Sequence, residues 1–337
     1  MPEINIRALA KELNLSIGTV SKALKDSYEI SAETKRRVLE VAKKLHYAPN
    51  PYASSLRRKK SNTIAVVVPE VADSYFSQAI KGIEEIAQLK GYHVLVYLTY
   101  ESYAREKQIL DEFTNGRVDG LLISVSSETC STGHIEALNS NKVPVVFFDR
   151  AIDETDAAKI TTNDYDSGYE ATRHLIERGC RKIAYLSISN LLVINTKRMM
   201  GFRNAMTDSK LHVDDNNIVN CSNDDNENNR ILTEVLKQKN RADGIISSVE
   251  KLITPVYTIC KQLKLQIPAD LKVLCFSNLS TAHILNPSLT TITQPAFDMG
   301  KMAATVLFKA VEKRNYNWQD ENLVIPSKLY IRDSTGG

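Results

Sequence analysis

The sequence of 337 residues predicts an α/β protein with an N-terminal three-helix, helix-turn-helix headpiece and a two-lobed domain built on parallel sheets. Residues 1–48 carry apolar residues at helical spacing, with basic residues between them. From Thr63 onward, short runs rich in β-branched residues alternate with amphipathic stretches, in two successive series. Such alternation predicts a parallel sheet covered on both faces, and two series predict two lobes.

Each of the three headpiece helices is predicted to follow a residue that can cap it, namely Asn5, Ser16 or Ser31. The first helix begins at Ile6 and the second covers residues 17–24; the short turn between them predicts a helix-turn-helix. The residues expected to face inward are Ile6, Leu9, Ala10 and Leu13, then Val20, Ala23 and Leu24, then Val38, Ala42 and Leu45.

The second helix carries the residues expected to read DNA, because a helix-turn-helix docks with the N-terminal half of this helix in the major groove. Ile17 offers apolar contact to a thymine methyl group, Lys22 donates to guanine acceptors, and Gly18 lets the backbone approach closely. Polar residues at helix starts and turns suit phosphates, although a cap or a solvated side chain is the alternative for each. The predicted phosphate contacts are Asn5, Ser16, Thr19, Ser21, Ser31, Tyr47 and Asn50.

The segment HYAPNPYASSLRRKKS, residues 46–61, is predicted to form a hinge after the headpiece. It allows a short helix over residues 51–57 and places Leu56 beside a run of basic residues. An apolar side chain flanked by cations suits insertion into a base step of the minor groove, with Ser55, Leu56 and Arg57 as the contacting residues. A disordered basic linker is the alternative.

Charge is distributed unevenly along the chain. Residues 1–60 hold 13 Lys and Arg against 6 Asp and Glu, whereas residues 61–337 hold 30 against 34. Positive charge concentrated in a small terminal module favours a polyanionic partner, because each cation near a phosphate releases counterions. A merely solvated basic helix would give the same count.

Composition excludes several classes of protein. No run of about eighteen uncharged apolar residues occurs, and the N-terminal MPEINIRALAKEL is charged where a signal peptide is apolar. We therefore expect a cytoplasmic, nucleoid-associated protein without a membrane partner. The five cysteines are isolated, with no CxxC pair or histidine at metal-ligand spacing, so we expect reduced core thiols, no metal site and no cofactor.

The two series of the large domain give the following elements. Strands are predicted in TIAVVV, HVLVYL, GLLISV and VPVVFFD, and then in KIAYLSI, NIVNC, DGIISS and KVLCF. Helices are predicted over residues 75–90, 103–115, 132–141, 166–179, 196–210, 225–239 and 250–265. The cleft between the two lobes is the expected ligand site.

Several segments together resemble the lactose/galactose repressor (LacI/GalR) family over nearly the whole chain. They include IRALAKELNLSIGTVSKAL, NPYASSLRR, VPVVFFDR, NDYDSGYEATRHLIERGCRKIAYL, KRMMGFRNAM, LNPSLTTITQP and IRDST. The resemblance implies a transcriptional regulator, expected to repress, whose affinity for operator DNA is controlled by a sugar or sugar derivative. It also implies a symmetric dimer on a pseudo-palindromic operator. Residues after IRDST carry no heptad repeat, so a dimer is expected rather than a tetramer.

The resemblance also places sites and boundaries on this chain. Ile17, Gly18 and Lys22 fall at base-reading positions, and Leu56 falls at the intercalating position of the hinge. The large domain resembles periplasmic sugar-binding proteins, with chain crossovers near residues 162, 290 and 324. The implied boundaries are 1–48 for the headpiece, 49–61 for the hinge, 62–161 with 291–323 for the N-terminal lobe, and 162–290 with 324–337 for the C-terminal lobe.

Six residues fall where family members line the cleft: Asp73, Tyr75, Phe76, Arg150, Arg198 and Ser277. The aromatic pair can stack on a sugar ring, and Arg198 can donate two hydrogen bonds to hydroxyl or carboxylate groups. Ordinary packing is the alternative for the aromatic residues, and a salt bridge between the lobes is the alternative for Arg150.

Two positions depart from the family pattern. Phe276-Ser277-Asn278 stands where members usually have an aspartate after the aromatic residue, and Val249-Glu250 replaces a usual Asn-Asp pair. The loss of an acid that binds sugar hydroxyls, with Arg150 and Arg198 retained, favours an acidic or phosphorylated sugar over a neutral one.

Two other classes are weighed against a regulator. A solute-binding protein of a transport system would explain the two lobes, but not the basic headpiece or the missing signal sequence. An enzyme would need a recognisable site, yet no GxGxxG or GxxxxGK[ST] follows a predicted strand and none of the six histidines belongs to an assignable catalytic set. We therefore expect no catalytic activity.

Overall fold

A computed structural model describes residues 5–47, 60–188, 192–313 and 316–336 of the chain. The chain divides into two compact units, Met1–Lys59 and Lys60–Gly337, which are described separately. Four residues with predicted DNA contacts, Asn50, Ser55, Leu56 and Arg57, lie outside the described residues.

The first unit contains three helices with the predicted caps: α1 (Ile6–Leu13), α2 (Ile17–Leu24) and α3 (Ala32–Lys44). Asn5 Oδ1 accepts hydrogen bonds of 3.0 Å from two backbone amides of α1. Leu9, Val20 and Val38, one from each helix, are fully buried and meet in one small core. The predicted three-helix headpiece is therefore confirmed.

The first lobe of the second unit is a parallel sheet in the order β2-β1-β3-β4-β5-β11. Its strands are β1 (Thr63–Val68), β2 (His93–Leu98), β3 (Gly120–Ile123), β4 (Val145–Phe148), β5 (Ala158–Thr162) and β11 (Asn322–Ile325). Its helices are α4 (Ser74–Leu89), α5 (Tyr103–Asp111), α6 (Gly133–Ser140) and α11 (Ala296–Glu312). Because alternate side chains of a strand point to opposite faces, Ile64 and Val66 of β1 pack with α4 and α11, whereas Ala65 and Val67 pack with α5 and α6.

The second lobe repeats this plan with strands in the order β7-β6-β8-β9-β10-β12, of which β12 runs antiparallel to β10. The strands are β6 (Ile183–Ser187), β7 (Ile218–Asn220), β8 (Gly244–Ser247), β9 (Lys272–Phe276), β10 (Thr290–Thr293) and β12 (Lys328–Tyr330). The helices are α7 (Asp164–Glu177), α8 (Val193–Asp208), α9 (Asp225–Lys237) and α10 (Ile253–Leu263). One face of the sheet packs on α7 and α8, and the other packs on α9 and α10.

The chain passes between the two sheets at residue 163, at residues 294–295 and at residues 326–327. Three of the expected boundaries need correction. The boundary at 162 is one residue too early because Thr162 ends β5, which pairs with β11 in the first sheet. The boundary at 290 is too early because β10 pairs with β9 and β12 in the second sheet, and the boundary at 324 is too early because β11 continues to Ile325. Asn163 Oδ1 accepts a 2.8 Å hydrogen bond from the Ser327 amide and so joins two of the crossovers.

Five elements of the structure lie outside those predicted from the sequence: β5, β10, β11, β12 and α11. The strands have three to five residues and mix polar with apolar side chains, which leaves little periodic signal. Helix α11 differs, because its apolar residues recur at helical spacing and pack under the first sheet. The signal for this helix was therefore present in the sequence.

Glycines set the closest helix contact in each lobe. A Cβ atom added to Gly168 of α7 would overlap the carbonyl oxygen of Arg198, and one added to Gly201 of α8 would overlap the backbone of α7. Gly82 of α4 and Gly300 of α11 form the same reciprocal contact in the first lobe. Both helix pairs therefore approach to a separation that only glycine permits.

We expect Gly168→Ala to lower the free energy of unfolding by about 1–3 kcal/mol, because an added methyl group meets backbone and forces the helices apart. This loss should outweigh the gain of about 1 kcal/mol in helix propensity. The matched control is Gly133→Ala in α6, where the nearest atom to an added Cβ is at 4.0 Å. Urea unfolding followed by circular dichroism compares the two variants, and equal stabilities would contradict the prediction.

Candidate DNA interface and ligand cleft

The three residues predicted to read bases all lie on the outer face of α2. Ile17 is 38% exposed, the side chain of Lys22 is 52% exposed, and Gly18 is exposed. A Cβ atom at Gly18 would find only Ser16 Oγ, at 3.6 Å, within 4 Å. Internal packing therefore does not require glycine here, whereas close approach of an external surface would.

The predicted phosphate contacts include three helix caps whose side-chain oxygens are already engaged. Ser16 Oγ accepts from the Thr19 amide at 3.0 Å and shares a 2.8 Å hydrogen bond with the Thr19 hydroxyl. Ser31 caps α3 in the same way, and Asn5 caps α1. Of the other predicted residues, Ser21 and Tyr47 are half-buried, and Tyr47 packs against the headpiece core.

A second charged group lies beside Lys22 that the sequence reasoning missed. The ammonium group of Lys22 forms an ion pair with the carboxylate of Glu29, which follows α2 in the loop before α3. The neighbouring Tyr28 is 94% exposed. A partner seven residues away across a loop leaves no helical or strand period in the sequence, so the pair becomes visible only in the structure.

The ligand cleft lies between the two lobes, at the carboxyl ends of the parallel strands, where ligands bind in open α/β sheets. A partly open pocket of about 50 Å³ lies there, beside two further pockets of about 50 and 370 Å³. All six predicted residues line this cavity: Asp73, Tyr75, Phe76, Arg150, Arg198 and Ser277. Asp149, Ile194, Ser248, Val249, Glu250, Phe276, Asn278 and Gln294 complete its wall.

Arg198 of α8 is 4% exposed, and its positive charge is compensated within the protein. Its Nε donates to Asp164 Oδ1 at 2.8 Å, its Nη1 donates to the Ser248 carbonyl oxygen at 3.1 Å, and the guanidinium lies 4.2 Å above the Phe276 ring. Arg198 was expected to donate to hydroxyl or carboxylate groups of a ligand, but the carboxylate that it contacts belongs to Asp164 of the protein itself. The remaining nitrogen, Nη2, has no hydrogen-bond partner among the described residues.

Arg150 is also paired within the protein, although not between the lobes. Its Nη1 donates to both carboxylate oxygens of Glu101 at 2.9 Å, and both residues belong to the first lobe. The alternative of an interlobe salt bridge is therefore wrong. Its buried Nε lies 3.8 Å from Asp149 Oδ2 and has no hydrogen-bond partner in the part of the chain that the structure describes.

The two aromatic residues belong chiefly to the core of the first lobe. Tyr75 is 5% exposed and Phe76 is 3% exposed, with their rings edge to face at 5.3 Å. The Tyr75 hydroxyl donates to the Met299 sulfur at 3.3 Å. Ordinary packing, the alternative left open by the sequence, accounts for most of their surface.

The two positions that depart from the family pattern contact each other. Ser277 Oγ donates to Glu250 Oε2 at 2.6 Å, and the Asn278 amide donates to the same oxygen at 3.1 Å. The other carboxylate oxygen of Glu250 accepts a 2.8 Å hydrogen bond from Ser74 Oγ of the opposite lobe. The acid missing at position 277 is therefore replaced by Glu250, which reaches the cleft wall from the end of β8.

Buried carboxylates dominate the electrostatics of the cleft. Asp73 caps α4 by accepting from the Tyr75 amide at 2.7 Å. Burial, with smaller contributions from Glu250 and Asp149, raises the pKa of Asp73 to about 6. Burial also raises the pKa of Asp149 and of Asp164. The cleft therefore disfavours additional negative charge.

The described ranges, 5–47, 60–188, 192–313 and 316–336, hold neither a metal-binding cluster nor a membrane-spanning helix. No group of three or more histidine, cysteine, aspartate or glutamate side chains there is arranged to hold a metal ion. None of the helices there combines the length and the apolar character that crossing a bilayer requires.

A basic helix-turn-helix unit followed in sequence by a two-lobed domain with a polar cleft defines the class of ligand-responsive DNA-binding regulators. Comparison with known families agrees. The profile described as periplasmic binding proteins and sugar binding domain of LacI family matches residues 61–333, and the profile of bacterial regulatory proteins, lacI family, matches residues 5–50. The chain belongs to the LacI family and is a DNA-binding transcriptional regulator.

Individual relatives are similar along nearly their whole length. Catabolite control protein A of Priestia megaterium is 27% identical, with 98% of this chain and 99% of the relative aligned. Ribose operon repressor of Halalkalibacterium halodurans is 28% identical, with 98% and 97% aligned. Among solved structures, the lac repressor dimer bound to operator and the anti-inducer ONPF has a TM-score of 0.82 at 21% identity, covering 98% of this chain and 99% of that one. The complex of transcriptional regulator CelR with cellobiose has a TM-score of 0.74 at 21% identity, with the same coverage.

The raised pKa of Asp73 predicts how stability changes with pH. A carboxyl group with a folded-state pKa near 6 and an ordinary unfolded pKa contributes stability that is complete below the unfolded value and is lost as pH rises through 6. Between pH 7 and pH 5 we expect the wild type to gain about 1 kcal/mol relative to Asp73→Asn, which keeps the helix cap.

The single tryptophan, Trp318, packs against both cores of the first lobe, so its fluorescence can follow urea unfolding of that lobe. Asp153→Asn, at an exposed position, is the matched control. If wild type and Asp73→Asn change in parallel between the two pH values, the assignment to Asp73 is wrong.

Proposed function

We propose that this protein is a transcriptional repressor whose headpiece binds a specific operator and whose cleft binds a neutral sugar. The observation that supports this proposal most directly is the cleft itself. There the charges of Arg150 and Arg198 are compensated, yet each side chain keeps one buried nitrogen without a hydrogen-bond partner among the described residues. The ligand named in the complex of a similar regulator, cellobiose, is a neutral sugar, and the operon named for one relative is that of ribose, also a neutral sugar; both names support this proposal.

For DNA recognition, we propose that Ile17 and Lys22 contact base edges in the major groove and that Gly18 permits the close approach. The N-terminal ends of the three helices, with Asn5, Ser16, Thr19, Ser21 and Ser31 nearby, then face the phosphates. Tyr47 and Asn50 are proposed as further phosphate contacts, and Ser55, Leu56 and Arg57 as minor-groove contacts. The exposed outer face of α2 supports the base-reading part of this proposal.

Lys22→Ala is expected to relax base preference at one operator position, with a loss of about 1–3 kcal/mol on the preferred base pair. The matched control is Lys44→Ala at the exposed end of α3, which should weaken binding to all sequences by the same small factor. Anisotropy titrations at fixed salt, with the preferred duplex and its single-base variants, measure both effects. An unchanged order of preference in Lys22→Ala would remove Lys22 from the base-reading residues.

The charge balance of the cleft favours a neutral ligand and corrects the expectation of an acidic or phosphorylated sugar. That expectation assumed that Arg150 and Arg198 retain uncompensated charge, whereas each already pairs with a carboxylate. Asp73, Asp149 and Glu250 add further carboxylates to the same wall. An anion would meet the same desolvation penalty that raises the pKa of Asp73 and of Asp149.

A sugar hydroxyl can use both kinds of group that the cleft offers. Its oxygen accepts from Arg198 Nη2 or Arg150 Nε, and its hydrogen is donated to a carboxylate. When such a ligand binds in the cleft, the two buried donors gain hydrogen-bond partners. This removes a cost of about 1–3 kcal/mol for each donor. Alternating donors and acceptors on one wall therefore suit a polyhydroxylated, uncharged molecule.

We propose that binding changes the arrangement of the lobes and thereby the affinity for DNA. Hydrogen bonds already cross between the lobes: Ser74 binds Glu250, and the Gln78 side chain binds Asn278 at 3.1 and 3.4 Å. A ligand that prefers one lobe arrangement shifts the population toward it by its difference in affinity for the two arrangements.

We further propose that the protein acts as a homodimer on a pseudo-palindromic operator. Strand β2 forms the edge of the first sheet, and its residues Leu95 and Val96 are 38% and 41% exposed. A long apolar edge strand left open to water favours pairing with a second copy. Sedimentation equilibrium should give the mass of two chains, and a single-chain mass at micromolar concentration would contradict the dimer.

We propose no catalytic activity for the chain and a place of action in the cytoplasm, on the nucleoid. The matched families and named relatives are regulators rather than enzymes, which supports the first part. Operator DNA as the partner supports the second.

Thermal-shift measurements on the full chain test the ligand class. We expect a neutral mono- or disaccharide to raise the melting temperature, and the corresponding sugar phosphate or sugar acid to have no effect. Stabilisation by the phosphate or acid form alone would contradict the charge argument.

Arg198→Lys then tests the proposed donor. Alanine is unsuitable here, because the loss of one partner of a buried ion pair costs about 3–5 kcal/mol. Lysine keeps a cation beside Asp164 but removes Nη2, so we expect sugar binding to weaken about tenfold or more while DNA binding without sugar is retained. Arg173→Lys, at an exposed position of α7, is the control. Normal affinity for the sugar in Arg198→Lys would exclude Nη2 from the site.

A further inference from the structure

The ion pair between Lys22 and Glu29 brings an acceptor to the place where the headpiece is proposed to read a base. Both side chains are about half exposed, at 52% and 46%, so the pair lies at the surface rather than in the core. The carboxylate contacts the ammonium group itself, which is the atom expected to reach a guanine. The Glu29 carboxylate is therefore expected to reach as far toward the bases as the Lys22 ammonium group.

A carboxylate at that depth has an electrostatic cost when the headpiece docks on DNA. It approaches a polyanion and reduces the positive charge that Lys22 presents. The other ion pair formed by an acid near α2, Lys35 with Asp26, keeps its cation largely covered, with 21% exposure of the lysine side chain. The electrostatic cost of placing Glu29 against the exposed, base-reading Lys22 is offset if the Glu29 carboxylate accepts a hydrogen bond from a base.

The order of groups along a base-pair edge selects the base that can do this. In the major groove a G·C pair presents two adjacent acceptors, N7 and O6 of guanine, followed by the N4 amine of cytosine as donor. An A·T pair presents its donor, adenine N6, between two acceptors, so a carboxylate there meets oxygen and nitrogen lone pairs on both sides. An ammonium group next to a carboxylate matches the first order and not the second.

We propose that Glu29 is a specificity-determining residue that accepts a hydrogen bond from the cytosine N4 amine of the same G·C pair whose guanine Lys22 contacts. The pair of side chains then reads both bases of one base pair. This inference rests on the proposed DNA-binding role of Lys22.

The first experiment is selection from a random-sequence duplex library by the full-length wild type, Glu29→Gln and Glu29→Ala. We expect the wild type to enrich one G·C pair in each half-site and Glu29→Ala to lose preference for cytosine there by about tenfold, whereas Glu29→Gln keeps an acceptor oxygen and should lose less. Glu12→Gln, an exposed acid of α1, is the control with the same charge change. Exposed ion pairs contribute little to stability, so the variants should fold normally, as their thermal melting can verify.

The second experiment replaces the selected cytosine by 2-pyrimidinone, which lacks the exocyclic amine. Wild-type affinity should fall about tenfold more than that of Glu29→Ala, since only the wild type has an acceptor that loses a hydrogen bond at that position. Equal losses would overturn the proposal.

Two other outcomes distinguish failure of this proposal from failure of the proposed DNA-binding role of Lys22. If Glu29→Ala binds every sequence more tightly by one factor with its preferences unchanged, Glu29 only neutralises Lys22 and reads nothing. If the wild type enriches no sequence, operator binding itself fails, and the role of Glu29 fails with it.

Discussion

The buried ion pair between Arg198 and Asp164 is the constraint on which the ligand cleft depends. Asp164 begins α7 and Arg198 lies in α8, so the 2.8 Å contact fixes how these helices cross. Gly168 lies directly against the Arg198 carbonyl group, and any larger residue there would push the guanidinium out of position. The pair also removes most of the cost of burying a charge at 4% exposure, so that one donor can be left unpaired in the cleft. Helix packing and ligand chemistry are thus set by the same few atoms.

Charge is used in opposite ways in the two units. The headpiece keeps its cations exposed and in excess, which suits a partner that carries a regular array of phosphates. In the cleft every guanidinium described above is matched by a carboxylate, and burial, with smaller contributions from Glu250 and Asp149, raises the pKa of Asp73. Such a site gains little from Coulomb attraction and distinguishes ligands by hydrogen-bond geometry. A polyanion and an uncharged polyol therefore place different demands on the two units of one chain.

The sequence predicts the fold well because periodic burial specifies it. Eight strands of the large domain follow from runs of apolar residues, and the three caps of the headpiece follow from Asn5, Ser16 and Ser31, polar residues placed just before helical apolar spacing begins. The sequence predicts which residues line the cavity, but not which groups those residues contact. Arg150 and Arg198 do line the cavity, yet their partners Glu101 and Asp164 lie 49 and 34 residues away, and no local pattern connects them. The substitutions at 250 and 277 were visible as two separate departures, and only the fold shows that one compensates the other.

Two opposing hydrogen-bonding contributions meet in the cleft, and their balance explains how a ligand can act on it under the proposed function. Two sets of hydrogen bonds between the lobes, Ser74 with Glu250 and Gln78 with Asn278, favour closure by about 1 kcal/mol each without any ligand. The same cleft holds Arg198 Nη2 and Arg150 Nε, two buried nitrogens without a hydrogen-bond partner among the described residues, and each such donor costs about 1–3 kcal/mol. A sugar hydroxyl that accepts from these donors removes the opposing contribution and leaves the interlobe bonds intact. Under the proposed mechanism, we therefore expect the difference in affinity between lobe arrangements to arise from these two donors.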